Sequence, residues 1–146
     1  MIILQPIGKT AEENREFLEH PEFEDVLAAT TDYYKIIGFN PPWIGYFAKM
    51  ENEYVGSAGY KGKPVDNKIE IAYGTFPAYQ RKGVGTAICK AMVELARQTD
   101  TGLIITARTL PDNNYSTKIL QKNNFVLLGT VWDKDDGYVW EWQYQK

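Results

Sequence analysis

The spacing of apolar and polar positions changes period several times along the chain, and each change marks an element. Residues 2–7 alternate weakly and predict a short strand closed by Pro6-Ile7-Gly8. Thr10, with Glu13 three residues later, has the form of a capping box and predicts a helix to about Glu19. Pro21 suits the first turn of a second helix over 22–37, with Phe23, Val26, Leu27 and Tyr34 on one face. Gly38 and the pair Pro41-Pro42 then stop it. Trp43–Met50 and Tyr54–Tyr60, separated by Glu51-Asn52-Glu53, form a hairpin signature with Gly56 and Gly59 as candidate bulges. Lys61-Gly62-Lys63-Pro64 turns the chain into a third strand of this group, Lys68–Phe76.

The next segment has the clearest helical period in the sequence. Val84, Ile88, Met92 and Leu95 fall at spacings of four, four and three within 84–98. Leu103–Ala107 is a short apolar run of the kind found in buried parallel strands. A helix from Asn113 to about Lys122 follows, then Phe125–Trp132 and Gly137–Tyr144 as a closing antiparallel pair. The predicted order is β-α-α-β-β-β-α-β-α-β-β, an α/β chain with a mixed sheet of about seven strands and helices on both faces. The crossover from strand 68–76 through helix 84–98 to strand 103–107 is expected to be parallel and right-handed. With no repeat, linker or low-complexity tract, residues 1–146 are read as one domain.

Composition narrows the chemistry. Apolar residues make up 44% and charged residues 24%, which is ordinary for a globular chain. No apolar run approaches the ~20 residues of a membrane span, and the N-terminus has neither a basic segment nor a cleavage site, so it reads as mature sequence. His20 is the only histidine and Cys89 the only cysteine. Histidine-based triads, multi-histidine zinc sites and a disulfide framework are therefore disfavoured, no metal is expected, and a cytoplasmic location is. A net charge of −3 argues against a nucleic-acid binder. It leaves room for a local phosphate site built from main-chain N–H groups.

Such a site is suggested at Gln80-Arg81-Lys82-Gly83-Val84-Gly85, between a strand and a helix. Gly83 and Gly85 would let the backbone turn tightly and approach a ligand. The N–H groups from Lys82 to Thr86 would point outward, unpaired, at the positive end of the helix dipole. Arg81 and Lys82 would add charge at the rim. The plainer reading is a helix start that uses glycine to turn a corner. A P-loop would need four residues between its glycines and then Lys-Ser/Thr, and a dinucleotide fingerprint would need glycine where Ile88 stands.

The segment does match the pattern Gln/Arg-x-x-Gly-x-Gly/Ala, and with it the chain resembles the GNAT family of N-acetyltransferases. The likeness extends over Gly59–Pro64, Ile69–Gly74, Pro77–Gln80, Thr109–Ser116 and Ile119–Phe125, and it is similar to the Rim-type branch that acetylates N-termini of ribosomal proteins. The resemblance implies acetyl-CoA as co-substrate, an amine acceptor from a small molecule or a protein N-terminus, and a monomer or homodimer. It implies acetyl-CoA in a V-shaped opening between strands 68–76 and 103–107. There Gly74, Thr75 and Phe76 would meet the pantetheine arm, Gln80 to Thr86 the pyrophosphate, and Asn113 and Ser116 the cofactor near the late helix.

Direct transfer to an amine needs a base, a polarised thioester carbonyl and a proton for the leaving thiolate. Glu70, mid-strand between Ile69 and Ile71 and ten residues before Gln80, is the candidate base; the alternative is a solvated or lysine-paired carboxylate. Many family members place a tyrosine as acid where this chain has Leu120, and Ser116 is the hydroxyl the Rim-type pattern offers instead. Asn113 or Asp112 can equally be a helix cap. Cys89 is read as a packed apolar residue, Trp132, Trp140 and Trp142 as sheet packing, and Asp133-Lys134-Asp135-Asp136 as a solvated hairpin turn. Tyr33-Tyr34 and Phe39–Trp43 are candidate walls of the acceptor site. Two other functions are open at this level. One is a non-catalytic CoA-binding sensor of the same fold, suggested by Leu120 and by Asn124 where the family usually has glycine. The other is an interaction domain using the aromatic C-terminal hairpin.

Overall fold

A computed structural model describes residues Met1–Lys146. Seven strands form one sheet: β1 (Ile3–Pro6), β2 (Gly45–Met50), β3 (Glu53–Tyr60), β4 (Lys68–Thr75), β5 (Ile104–Thr109), β6 (Phe125–Asp133) and β7 (Gly137–Tyr144). Their spatial order is β1-β2-β3-β4-β5-β7-β6. All neighbours are antiparallel except β4 and β5, the pair joined by the long helix α2 (Val84–Thr99). The mixed sheet and the parallel crossover follow the expected order.

Cross-strand partners share a face, so the register assigns side chains to sides. Tyr46, Ala58, Tyr60, Ile69, Ile71, Ile105, Ala107 and Trp142 point to one side and form the main core with α2 and α3 (Tyr115–Lys122). Ile88, Met92 and Leu120 are fully buried in that core. The opposite side carries Phe47, Ser57, Gly59, Ala72 and Gly74 on its first half, with α1 (Glu24–Ile37) above them. Phe47, Phe17, Phe23, Leu27 and Ile7 make a second, smaller core there. Gly38, at φ 89°, ends α1, and its N–H donates to the Tyr34 carbonyl at 2.8 Å.

The first predicted helix is not a helix. The capping contact exists, with the Glu13 N–H donating to Thr10 Oγ1 at 3.2 Å, but only a 3-10 turn over Arg15–Phe17 follows. Asn14 explains the arrest. Its buried amide donates to the Gly8 carbonyl at 2.9 Å and its Oδ1 accepts from the Gly8 N–H at 2.6 Å. The turn is thereby folded back on itself, and Pro21 closes any continuation. The second helix also starts as a 3-10 turn, Pro21–Phe23, before α1 begins at Glu24. The bulge in the β2–β3 hairpin lies between Ala48 and Lys49, beside Gly56; Gly59 is in regular register. At α3 the cap is Asn114, in a capping box with Thr117, rather than Asn113 or Asp112.

Candidate active site

The register of β4 sets the site. The Lys61 N–H donates to the Glu70 carbonyl and the Phe76 N–H to the Val55 carbonyl, each at 2.9 Å. Antiparallel alternation therefore commits the main chain of Glu70, Ala72, Gly74 and Phe76 to β3, and turns that of Ile71, Tyr73 and Thr75 toward β5. The ladder to β5 ends at Ile71 opposite Ala107. Beyond that pair β4 stays with β3 and β5 with β7, so the strands part and the main chain of Tyr73 and Thr75 faces a gap. Gln80 reaches back, its Nε2 donating to the Thr75 carbonyl at 3.2 Å. Of the three predicted pantetheine contacts, Thr75 points its main chain into the gap. Gly74 borders it, and the Phe76 N–H is spent on Val55.

At the head of the gap lies the glycine turn. Arg81 and Gly83 are in the left-handed region at φ 65° and 78°, and Gly83 is the N-cap of α2. The first N–H bonded within the turn is that of Ala87, to the Gly83 carbonyl at 3.2 Å. The N–H groups of Lys82, Gly83, Val84, Gly85 and Thr86 have no protein acceptor. They form the open, positive end of a 16-residue helix, suited to an anion such as a pyrophosphate. The side chains of Arg81 and Lys82 are exposed beside them.

The two glycines do different work. A Cβ on Gly83 would meet nothing within 4 Å, so that residue is set by its positive φ. Gly85 is buried, and a Cβ there would lie 2.6 Å from Ile119 Cδ1 and 3.1 Å from Thr75 Oγ1. Its bareness lets α2 approach α3 and β4. Val84 faces the core, and the Thr86 carbonyl accepts from Asn123 Nδ2 at 3.2 Å.

On the far side of the gap the sheet carries a row of charges. Glu70 Oε2 is 3.2 Å from Lys61 Nζ, and Glu70 Oε1 is 3.8 Å from Arg108 Nε. Arg108 also holds Asp133 at 3.0 Å and Glu141 at 3.3 Å. Burial opposes the charge of both cations, and the facing carboxylates more than reverse it, so Lys61 and Arg108 both sit above their ordinary pKa. Glu70 therefore has the lysine-paired surroundings that the sequence left as its alternative role. Ser116, exposed on α3, opens with Asn114 onto a cavity of about 330 Å³ that also contains Arg108 and Asp133. Asn113 is exposed and outside that cavity.

Lys61, Arg108, Asp133 and Glu141 were not singled out by sequence, because only strand register brings them together. The solvated-turn reading holds for Lys134, Asp135 and Asp136, and Asp133 departs from it. It is 7% exposed, and its Oδ1 accepts the N–H groups of Asp135 and Asp136 at 2.9 and 3.2 Å. The Asp135 N–H, followed by Arg108, pulls its carboxyl from 3.8 down to about 2. A carboxyl depressed in the folded state adds stability above its unfolded pKa and loses it as the pH falls through the folded value. We expect the β6–β7 hairpin to weaken between about pH 4 and about pH 2. Urea midpoints of the wild type should fall over that window, and those of Asp133→Asn should fall less.

Cys89 is fully buried, and burial pushes its thiol up to about 12, which removes it as a nucleophile. Trp142 is buried with its Nε1 donating to Thr109 Oγ1 at 3.0 Å, whereas Trp132 is 64% exposed on the hairpin. Tyr33 and Tyr34 line a cavity between α1 and the sheet; Phe39 and Trp43 pack against the core instead. No group of three or more His, Cys, Asp or Glu side chains is placed to hold a metal ion, and no helix is long and apolar enough to cross a membrane.

Comparison with known proteins identifies the family. The sequence model of the Acetyltransferase (GNAT) family matches residues 10–125, most of the chain. The chain belongs to the GNAT family. A GNAT relative, the uncharacterized N-acetyltransferase YjdG of Bacillus subtilis (strain 168), is 34% identical over 117 residues, which is 78% of this chain and 66% of that protein. This chain thus spans just under two thirds of that relative's length. Among solved GNAT folds, aminoglycoside acetyltransferase AAC(6')-Ib with coenzyme A and kanamycin aligns at TM-score 0.71 and 20% identity, over 99% of this chain and 95% of that one. RimL, a ribosomal L7/L12 alpha-N-protein acetyltransferase, in complex with coenzyme A, aligns at TM-score 0.69 and 13% identity, over 97% and 92%. At these identities the two structures establish the GNAT fold and say nothing further about this chain's acceptor.

Proposed function

We propose that this chain transfers the acetyl group of acetyl-CoA to a primary amine by direct attack. The observation that carries the reading is the gap between β4 and β5. It joins an anion-suited helix terminus on one side of the sheet to a cavity and a carboxylate on the other. The N–H groups of Lys82 to Thr86, with Arg81 and Lys82 at the rim, would hold the pyrophosphate. Gln80, Gly74, Thr75 and Phe76 would line the arm, and Asn113, just before α3, and Ser116, in its first turn, would close on it. Acetyl-CoA supplies the acyl thioester; what the chain itself supplies is orientation, exclusion of water and handling of one proton. Glu70 takes that proton from the amine, directly or through water, and the hydroxyl of Ser116 donates a hydrogen bond toward the departing sulfur. The single, buried, unpaired Cys89 fits a reducing compartment such as the cytoplasm.

Calorimetric titration with acetyl-CoA, and thiol release on adding an amine panel, test the reading together. Absence of both binding and turnover refutes it. Glu70→Gln should lower kcat by roughly 100-fold, the lower range for a general base, with acetyl-CoA affinity unchanged.

A second reading has its own observation. Both Glu70 oxygens are engaged by cations, and Leu120, in place of the tyrosine of many members, is fully buried in the core. A non-catalytic CoA-binding module would fit those facts. It requires acetyl-CoA binding with no turnover of any amine, and Glu70→Gln indistinguishable from the wild type.

A further inference from the structure

We infer that the acceptor is a small primary amine on a neutral, largely apolar or aromatic body, bound between α1 and the sheet. This rests on the transferase reading above and adds the chemistry of the second substrate. The cavity there has a volume of about 510 Å³ and abuts β4 at Ala72 and Gly74, where the gap opens. That size is in the range of small-molecule sites.

Ten of its 16 lining residues are hydrophobic. Lys61 is its only charged residue, and it is already paired with Glu70 at 3.2 Å. No carboxylate lines the cavity. An ammonium group beyond the reacting one would lose its hydration here without gaining a counter-ion, which is strongly unfavourable. The adjoining mouth does not compensate. Its lining sets Glu70, Asp133 and Asp135 against Lys61, Arg108 and Lys134, and Glu70 and Asp133 are each already held by a cation. A polyamine or an aminoglycoside therefore finds no carboxylate in the cavity to hold its extra charges, although kanamycin is bound in one protein of similar fold.

The polar groups that remain are neutral. The hydroxyls of Tyr34 and Tyr46 are spent on the carbonyls of Ile7 and Pro42, at 2.8 and 2.6 Å. Thr30, Tyr33 and Ser57 also line the cavity and their hydroxyls have no protein partner, enough to orient one or two hydrogen-bonding groups. The floor is kept open. Gly74 has no left-handed φ, and a Cβ there would meet nothing within 4 Å, so neither backbone nor packing excludes a side chain.

The apolar walls also serve the reaction. Desolvation favours the neutral amine over the ammonium. The free amine then attacks the acyl carbon, forming the C–N bond as the C–S bond breaks; the amine proton passes to Glu70, the sulfur leaves as thiolate, and the proton returned from Glu70 through water converts it to the thiol.

The test is a matched panel under saturating acetyl-CoA: 2-phenylethylamine and hexylamine, spermidine and kanamycin, and a short peptide with a free N-terminus. The expected result is kcat/KM for 2-phenylethylamine roughly 100-fold above that for spermidine or kanamycin, as uncompensated charge burial demands. Ala29, exposed at the cavity rim on α1, gives a second measurement. Ala29→Trp should raise KM for 2-phenylethylamine by roughly tenfold or more, a pocket-filling effect, with acetyl-CoA affinity unchanged. Efficient turnover of the polycations, or of the peptide in preference to the arylalkylamine, overturns the inference and leaves the transferase reading intact. Failure to bind acetyl-CoA, or binding with no turnover of any amine, overturns both.

Discussion

Arg108→Met is expected to destabilise the fold by about 2–4 kcal/mol, because it leaves partly buried carboxylates without their cation. Arg108 is the hub of the charged row. Its guanidinium holds Asp133 at 3.0 Å, Glu141 at 3.3 Å and Glu70 at 3.8 Å, three carboxylates from three different strands. Its side chain is 29% exposed and that of Asp133 only 9%, so this is no solvent-screened surface pair. Methionine keeps much of the packing volume and removes the charge. The carboxylates then repel one another with only Lys61 nearby, and the β6–β7 hairpin loses a side-chain tie to β5 while its main-chain ladder remains. Urea unfolding at neutral pH should show a lower midpoint with an unchanged slope. The gap from the wild type should narrow as the pH falls through the carboxylate range, since protonation removes the repulsion. A loss below about 0.5 kcal/mol would show that the row behaves like an exposed pair, contrary to its burial.

Gly56→Ala is expected to cost about 1–3 kcal/mol and to weaken acetyl-CoA binding about tenfold, the usual penalty of overpacking placed beside a ligand site. A Cβ on Gly56 would run into the Gly74 carbonyl oxygen, and would lie 2.8 Å from Ile88 Cδ1 and 3.2 Å from Thr75 Cα. Two of those neighbours are main chain and cannot rotate away. Relief comes only by pushing β4 from β3, which displaces Thr75 at the edge of the gap. Gly74→Ala is the contrast, because its Cβ meets nothing within 4 Å. Thermal unfolding should shift for Gly56→Ala and stay essentially unchanged for Gly74→Ala. Equal shifts would disprove the steric account.

The order of strands and helices was legible in the sequence because most elements bury one face and keep the matching period. Val84, Ile88 and Met92 mark α2, and Ile69 and Ile71 mark β4. The failure at Thr10–Glu19 has a definite cause. The capping residues Thr10 and Glu13 do pair, but the buried Asn14 that folds the turn onto Gly8 looks like any polar helix residue in sequence. The glycine turn was half legible. A positive φ at Gly83 suits its place before a helix, whereas the role of Gly85 depends on Ile119, which is brought alongside only by tertiary packing.

The charged row was the least legible part. Arg108 and Glu141 are 33 residues apart, and Arg108 and Asp133 are 25 apart. The run Asp133–Asp136 looks like solvent-loving chain until the register of β6, β7 and β5 turns its first residue inward. Glu70 stood out because it interrupts an apolar strand. Its two cations did not, because a lysine after a strand and an arginine near the end of another are common on surfaces.

The parting of β4 and β5 has a mechanical consequence. The sheet is two antiparallel halves, β1–β4 and β5–β7, stitched across the middle by a ladder of four residue pairs, Lys68–Ile71 against Ile104–Ala107. This seam is where the molecule should breathe first. A ligand lying in the gap would add bonds to the edge that the ladder leaves bare, and so act as a keystone between the halves. Amide exchange at Tyr73 and Thr75 should slow when acetyl-CoA is added. At 100 times its Kd, a ligand that binds only the closed form stabilises it by about 2.7 kcal/mol. Occupancy of the gap and the cohesion of the two halves would then be one equilibrium, observed from either end.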